Sequence, residues 1–353
     1  MTVQTPNGLS RREEFKEIVM QGDVLAPLIS SLQVDTIGKE CFEKKKHLYY
    51  FKDSVPISPL GMVDDLLTIS ECGYKTSLMN EFINFKTGSK KLQFSTQKCI
   101  KMHIGKPDVL CKDLKVGGWK VEVVTDPETG KPSNSEYYNG YEKMKVKQEQ
   151  TYLGDLLSAD GTHTKKVQQR SNKGLGTINQ IMSILESTYY GKYFFEVATI
   201  LRESLFLSSL LLNSEAWVNY NDKDVRILEQ CDEILLSKIL SSDSNTSNAF
   251  KYLELGIVPV RFEIMKRKIG FLQYILKQEK DSMVYQVLQA TSEKSVKNDF
   301  VFRCKKYLEI LKINLSFEEI AKMTKFSLKK LLKEKMRVAA FEYLKLQQRI
   351  FGR

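Results

Sequence analysis

The spacing of apolar residues changes near residue 165. Before this point, short apolar runs alternate with turn-forming residues, a pattern typical of strands and hairpins between a few helices. From Lys165 onward, apolar residues recur at helical intervals, for example at Ile178, Ile181 and Leu185. We therefore predict an α+β fold in which an antiparallel sheet with helices precedes an all-helical part. A Ser- and Asn-rich joint at Ser241–Ser247 predicts a linker within the helical part.

The region before residue 165 contains several predicted elements. They are a helix at Leu25–Lys39, a hairpin of Leu48–Phe51 with Val55–Val63, a helix at Thr76–Phe85, and a strand at Gln148–Leu153. The turn-rich segment Asp126–Ser135 predicts a surface loop. Together these elements favour a small mixed domain ahead of the helices.

Composition excludes several classes of protein. A hydrophobic content of 42% is too high for a disordered chain. The six cysteines form no CxxC pair and only three histidines accompany them, which argues against a zinc module or a disulfide scaffold. The apolar runs are too short for a membrane span, and the first residues do not form a secretory signal. We expect an intracellular protein without a membrane partner, and nucleus and cytoplasm are not distinguished.

Positive charge is concentrated at the end of the chain. The segment Ala321–Arg353 holds ten Lys and Arg residues and two Glu, which is +8 of the formal net charge of +11. Its apolar residues, including Leu328, Leu332 and Met336, have helical spacing. An amphipathic basic helix can follow a phosphate backbone, lie on a membrane surface or simply present a solvated face. The basic run Lys266–Lys268 is interpreted as a solvated helix face in the same way.

A pair of acidic residues, Asp64 and Asp65, stands between two apolar segments that predict strands. Adjacent carboxylates repel each other, and apolar neighbours remove them from water. The arrangement is explained if Mg²⁺ binds there, because this ion takes one or two carboxylates together with substrate phosphates. Two such ions activate the attacking hydroxyl and stabilise the leaving group in nucleotidyl transfer. An ordinary surface turn is the alternative interpretation.

Four segments in order give the acidic pair a context. They are Val19–Leu28, the pair itself within Met62–Asp65, Lys90–Lys98, and Tyr152–Ser158. This ordered set resembles the reverse transcriptase of non-long-terminal-repeat, LINE-like retrotransposons, and the resemblance covers most of the chain. It implies a partial polymerase palm at residues 1–164, a helical thumb at 165–247 and a basic helical region at 248–353.

The resemblance also implies roles for individual residues. Asp64 and Asp65 would be the catalytic carboxylates that hold Mg²⁺. The other implied contacts are Gln21, Gly22, Asp23 and Lys98 with nucleotide and template, and Tyr152, Leu153 and Gly154 with the primer end. The partners implied are an RNA template, a DNA primer and deoxynucleotides. The chain departs from the family pattern at Val24 and Ala26, and at Met62 and Val63 before the acidic pair.

A third catalytic aspartate is expected upstream in such enzymes, on a strand of its own. Residues 2–20 contain no Asp, so we expect the fingers and half of the metal site to be missing. Metal geometry controls activation of the primer hydroxyl, and we therefore predict that this chain alone is inactive. Another retrotransposon fragment could supply the missing residue.

Two non-catalytic interpretations stand beside the polymerase. The first is an RNA- or DNA-binding remnant that contacts the nucleic-acid backbone through Lys329, Lys330, Lys333 and Arg337. Such binding would weaken steeply with salt, because phosphate contacts release counterions. The second is a decaying copy without a selected function, whose incomplete sheet leaves an open edge.

Overall fold

The protein combines helices with short antiparallel sheets, so the α+β class is confirmed. A computed structural model describes residues 4–5, 8–9, 26–43, 48–57, 59–63, 65–89, 94–95, 98–102, 104, 115–117, 123–125, 132–136, 141–143, 145–187, 193–243 and 245–351. The chain divides into two compact units. Unit 1 comprises Met1–Lys101 with Asp108–Lys145, and unit 2 comprises Met102–Pro107 with Val146–Arg353. The functional boundaries predicted at 164/165 and 247/248 stay predictions.

Unit 1 carries two helices among short strands. Its elements are β1 (Gln4–Thr5), β2 (Gly8–Leu9), α1 (Ala26–Glu43), β3 (Tyr49–Phe51), β4 (Val55–Ile57), β5 (Leu60–Met62), β6 (Asp65–Leu67), α2 (Gly73–Ser89), β7 (Ile100–Lys101), β8 (Lys115–Gly117), β9 (Val123–Thr125), β10 (Pro132–Glu136) and β11 (Tyr141–Lys143), and β12 (Lys145–Val146) lies at its end. The pairs β1–β2, β3–β4, β5–β6, β8–β11 and β9–β10 are antiparallel. A small core joins the two helices.

Several sequence predictions for unit 1 are confirmed with shifted bounds. Both predicted helices are present, and both are longer than their apolar spacing indicated. The first predicted hairpin is the pair β3–β4. The segment Asp126–Ser135 was expected to be a loop, but Pro132–Glu136 forms β10 with an irregular register against β9. Its turn-forming residues are accommodated by that register shift, because a bulged ladder tolerates residues that a regular strand excludes.

Unit 2 begins with a hairpin and continues as helices through the described residues. Its elements are β13 (Glu149–Tyr152), β14 (Asp155–Ser158), α3 (Thr164–Ser187), α4 (Phe194–Leu201), a π-helical segment (Arg202–Phe206), α5 (Leu207–Leu210), α6 (Asp222–Ile239), α7 (Asn248–Glu254), α8 (Val260–Leu276), α9 (Met283–Glu293), α10 (Phe300–Ile310), α11 (Phe317–Lys322) and α12 (Lys325–Phe351). The predicted change to helices near residue 165 is therefore confirmed.

The larger core of unit 2 lies between α3, α6 and the segment from α4 to α5. The predicted helical positions Ile178, Ile181 and Leu185 are all buried there. Trp217 is 1% exposed and packs into the same core. Good capping fixes where α6 begins, because Asn221 accepts hydrogen bonds from two backbone N–H groups and Asp224 completes a capping box.

A second core in unit 2 joins α8, α10, α11 and α12. The apolar stripe of α12 faces this core, and Leu328, Leu332, Met336 and Ala340 are each 3% exposed or less. The helical pattern predicted for the basic end of the chain is thus confirmed. Burial of the stripe also determines which side of α12 is left to the solvent.

Candidate nucleic-acid interface

The hairpin β5–β6 of unit 1, which contains Asp65, packs against α1. Gly61 on β5 leaves room for this helix, because a Cβ at that position would lie 2.6 Å from Val34 Cγ1. The Ser30 hydroxyl donates a hydrogen bond to the Val63 carbonyl oxygen at 3.3 Å. The helix after the Gln-Gly-Asp segment is therefore in direct contact with the strand that leads to the acidic pair.

The backbone of the hairpin is strained beside the acidic pair. Val63 has φ of 58°, a conformation that β-branched residues rarely adopt. The strand resumes at Asp65, which pairs with Met62 and has an exposed side chain. Strain of this kind costs roughly 1–3 kcal/mol and is concentrated at functional sites. Positive φ at this position also follows from the two-residue loop between Met62 and Asp65, so it assigns no function to the turn.

The other predicted residues of unit 1 are only partly placed. Gln21, Gly22, Asp23 and Asp64 lie outside the described residues. Lys98 has an exposed side chain in a turn, and its backbone N–H donates to the Ser95 carbonyl oxygen at 2.9 Å.

A magnesium site is not complete among the described residues. No group of three His, Cys, Asp or Glu side chains there could hold a metal ion. Asp65 supplies one described carboxylate, and Asp64 lies outside the described residues. Binding of Mg²⁺ by this pair therefore stays a prediction, and we derive no chemistry through the ion.

In unit 2, the segment predicted to contact the primer end forms a tight turn. Strands β13 and β14 pair Tyr152 with Asp155, which leaves a two-residue loop. Leu153 and Gly154 have φ of 47° and 79°. Positive φ at both loop residues is typical of the type I′ turn that matches the twist of a hairpin. The predicted glycine-dependent turn is present, and its contact with a primer stays a prediction.

Two buried cations fix this turn to α3. Lys166 Nζ lies 2.7 Å from Asp155 Oδ2, and the Lys166 and Arg170 side chains are 6% and 2% exposed. Arg170 donates a hydrogen bond to the Gly154 carbonyl oxygen at 2.5 Å and lies 3.6 Å from the Asp155 carboxylate. The tip residue Leu153 remains 46% exposed. The turn is thus held rigidly while its tip is available for contact.

The basic side chains predicted to bind phosphates lie on the outer side of α12. All four are exposed, namely Lys329, Lys330, Lys333 and Arg337. None of them forms an ion pair or a side-chain hydrogen bond with any residue that the structure describes. Their charge is therefore not neutralised within the described protein, and this helix face has the electrostatic character that attracts phosphates.

Several other basic side chains of unit 2 form ion pairs inside the protein. Arg202 pairs with Asp232 at 2.6 Å, and both side chains are fully buried. Burial opposes the charge of Arg202, yet the carboxylate of Asp232 raises the guanidinium pKa. Arg261 binds Glu229 in two places and stacks 4.4 Å from the Tyr343 ring. These cations hold helices together and are not free to bind a ligand.

The prediction of a solvated face at Lys266–Lys268 is wrong for Lys268. This side chain is fully buried and donates to the carbonyl oxygens of Glu215 and Trp217 at 2.7 and 2.6 Å. Burial lowers its pKa to about 8. Lys268 lies four residues after Ile264 and three before Phe271, so its position on the apolar face was readable from the helical spacing.

Comparisons with protein-family models, with curated proteins and with solved structures found no match to this chain. No helix among the described residues is long and apolar enough to cross a membrane. The assignment of function therefore rests on the residues of the chain and their arrangement.

Proposed function

We propose that this chain is a nucleic-acid-binding protein derived from the reverse transcriptase of a LINE-like retrotransposon. The observation that carries the proposal is the exposed, unpaired set of cations on α12, whose apolar side is buried in the protein. Binding of phosphates to these cations costs little free energy, because no internal ion pair has to be broken and the backbone of the helix is already ordered.

The retrotransposon origin is supported by two local arrangements. The helix that follows the Gln-Gly-Asp segment contacts the strand before the acidic pair, within unit 1. The turn at Leu153–Gly154 is fixed to α3 within unit 2. In this proposal, residues 1–164 are a partial palm, 165–247 a thumb and 248–353 a basic region that holds nucleic acid.

Binding is tested by titrating labelled RNA and DNA at several salt concentrations. We expect the logarithm of the binding constant to fall linearly with the logarithm of salt concentration. A variant with Lys329→Gln, Lys330→Gln, Lys333→Gln and Arg337→Gln should bind weakly and lose roughly 3 from that slope, at about 0.7–0.9 for each phosphate contact.

A charge-matched control separates this face from net charge. Lys280, Lys297, Lys305 and Lys306 are exposed in unit 2 and lie outside α12. Changing these four to Gln removes the same charge and should leave the slope nearly unchanged. Equal losses in the two variants would contradict an interface on α12, and salt-independent or absent binding by the unaltered protein would contradict the proposal as a whole.

A further inference from the structure

Two phenylalanines are exposed on α12 near the basic side chains. Phe326 is 78% exposed and Phe341 is 54% exposed. Single exposed apolar residues are common on protein surfaces. In the sequence, one ring precedes the cations and the other follows them. The helical positions of the two rings determine whether the rings and the cations lie on the same surface.

The two rings and three of the cations share one helix face. The residues Phe326, Lys330, Lys333, Arg337 and Phe341 follow each other at intervals of four, three, four and four. Residues at such intervals are neighbours on a helix surface. At about 1.5 Å per residue, the two rings are separated by about 22 Å along the axis. We call this set the aromatic-basic face.

A second row of residues on α12 is buried in the cores of unit 2. Leu328, Leu332, Met336, Ala340 and Leu344 are each 3% exposed or less. A helix that lies on a membrane inserts its apolar stripe between the lipids, and this stripe is already buried. The occupant of the aromatic-basic face must therefore complement a row of cations that ends in flat aromatic rings.

Single-stranded nucleic acid has this chemistry. Its phosphates are attracted by cations, and its unpaired bases stack on aromatic rings regardless of sequence. In a duplex the base faces are already stacked on each other and are not available to a ring on a helix surface. Glu334 is the one acidic residue between the rings, and three cations on the face outweigh it.

We propose that the aromatic-basic face binds single-stranded RNA or DNA, with phosphates at Lys330, Lys333 and Arg337 and bases stacked on Phe326 and Phe341. This inference rests on the proposed nucleic-acid binding by α12 and adds the strand type that it selects. The cations provide affinity for any nucleic acid, and the rings provide the preference for single strands.

The test compares the full chain with the variant Phe326→Ala/Phe341→Ala. The probes are a single-stranded RNA and a single-stranded DNA of about 12 nucleotides, within the usual range of single-strand sites, and the duplexes of the same sequences. We expect the dissociation constant for single strands to rise by about 5-fold or more for each ring removed. Duplex binding should not change, and the RNA and DNA arms show which single strand is preferred.

Val296→Ala/Leu346→Ala provides the control. These side chains are 63% and 55% exposed in unit 2, and neither lies three or four residues from a member of the aromatic-basic face. This variant should bind every probe as the unaltered protein does. All four positions are exposed, so both variants should keep the unfolding temperature of the unaltered protein, which is measured alongside.

The outcomes distinguish the inference from the proposed function. If the protein binds single strands and the ring variant binds them equally well, the inference is overturned while nucleic-acid binding stands. Stronger binding to duplexes than to single strands has the same meaning. If no nucleic acid binds, the proposed function fails first, and binding to anionic lipid vesicles alone would overturn both.

Discussion

Gly174 and Gly176 lie two positions apart on α3 but have opposite surroundings. A Cβ at Gly174 would lie 2.9 Å from both Cys231 Sγ and Leu210 Cδ1, closer than real contacts allow. A Cβ at Gly176 would meet nothing within 4 Å. The first glycine is needed for the close approach of α3 to α5 and α6, and the second only weakens its helix.

We predict opposite effects of alanine at these two positions. Gly174→Ala should lower the free energy of unfolding by about 1–3 kcal/mol, because the added methyl overpacks the core. Gly176→Ala should raise it by about 1 kcal/mol, because alanine is the better helix former. Urea unfolding of the two variants measures both changes. A tolerated Gly174→Ala would mean that α3 and α6 are farther apart than described.

The helix α8 is fastened to residues 207–220 by cations that donate to backbone carbonyl groups. Arg267 donates to Leu211 and Leu207 at 2.9 and 3.0 Å. Lys268 donates to two further carbonyl oxygens of this segment and lies 4.9 Å from the Phe300 ring. The carbonyl groups near the end of a short helix such as α5 need partners, and these side chains provide them from a neighbouring element.

The buried lysine of α8 should make stability depend on pH. Burial lowers the pKa of Lys268 from 10.5 to about 8. Between these values the unfolded chain holds a proton that the folded protein has lost, so stability rises with pH. The contribution is absent below pH 8 and reaches about 3 kcal/mol near pH 10.5.

Lys268→Met isolates this effect. The variant loses two hydrogen bonds and is less stable at every pH, so the measured quantity is the change of its stability with pH, relative to the unaltered protein. From below pH 8 to near pH 10.5, the free energy of unfolding of the unaltered protein, measured in urea, should rise by about 3 kcal/mol relative to that of the variant. Burial raises the pKa of the adjacent Cys304 thiol to about 12, which lowers stability over part of this pH range, and the comparison with the variant removes most of that effect. Parallel pH dependences would contradict a charged, buried Lys268.

For the whole molecule, the exposed and buried basic residues have different functions. The buried cations stabilise unit 2, whereas those on α12 give it a charged surface. A high net positive charge therefore does not by itself identify a nucleic-acid-binding surface. The separation depends on which cations have carboxylate or carbonyl partners in the folded protein.

We predict that residues 1–353 by themselves do not extend a primer. The assay uses an RNA template, a labelled DNA primer, deoxynucleotides and Mg²⁺, with Asp64→Ala/Asp65→Ala as the control. The expected result is no incorporation, because residues 2–20 supply no third aspartate to position the metal ions. A cooperative urea unfolding transition verifies that the sample is folded, and salt-dependent binding of the same template verifies that it is competent to bind.

Incorporation that disappears in the control variant would contradict this prediction. It would mean that another residue of the chain completes the metal site, and that the protein is a polymerase as well as a binding protein. Incorporation that persists in the control would indicate a contaminating enzyme.

Local patterns predicted α1, α2, α3, α12 and the hairpin β3–β4, but not the pairs β1–β2, β8–β11 and β9–β10. The spacing at Ile178, Ile181 and Leu185 predicted α3, and the turn at Leu153–Gly154 was readable because a tight turn needs a residue such as glycine. The bounds of α1 and α2 were less predictable, since helix ends depend on caps and packing that apolar spacing does not describe.

The sequence by itself determined the class of fold, the position of the change from strands to helices, and the basic helix that ends the chain. Hydrophobic periodicity and charge are local properties of the sequence, so they can be read without knowing which elements pack together. Only the tertiary structure decided that Arg170 and Arg202 are interior cations while Lys330 and Arg337 remain free. Whether a cation can bind a ligand depends on residues far away in sequence, because the elements that bury it or pair with it pack against it only in the folded protein.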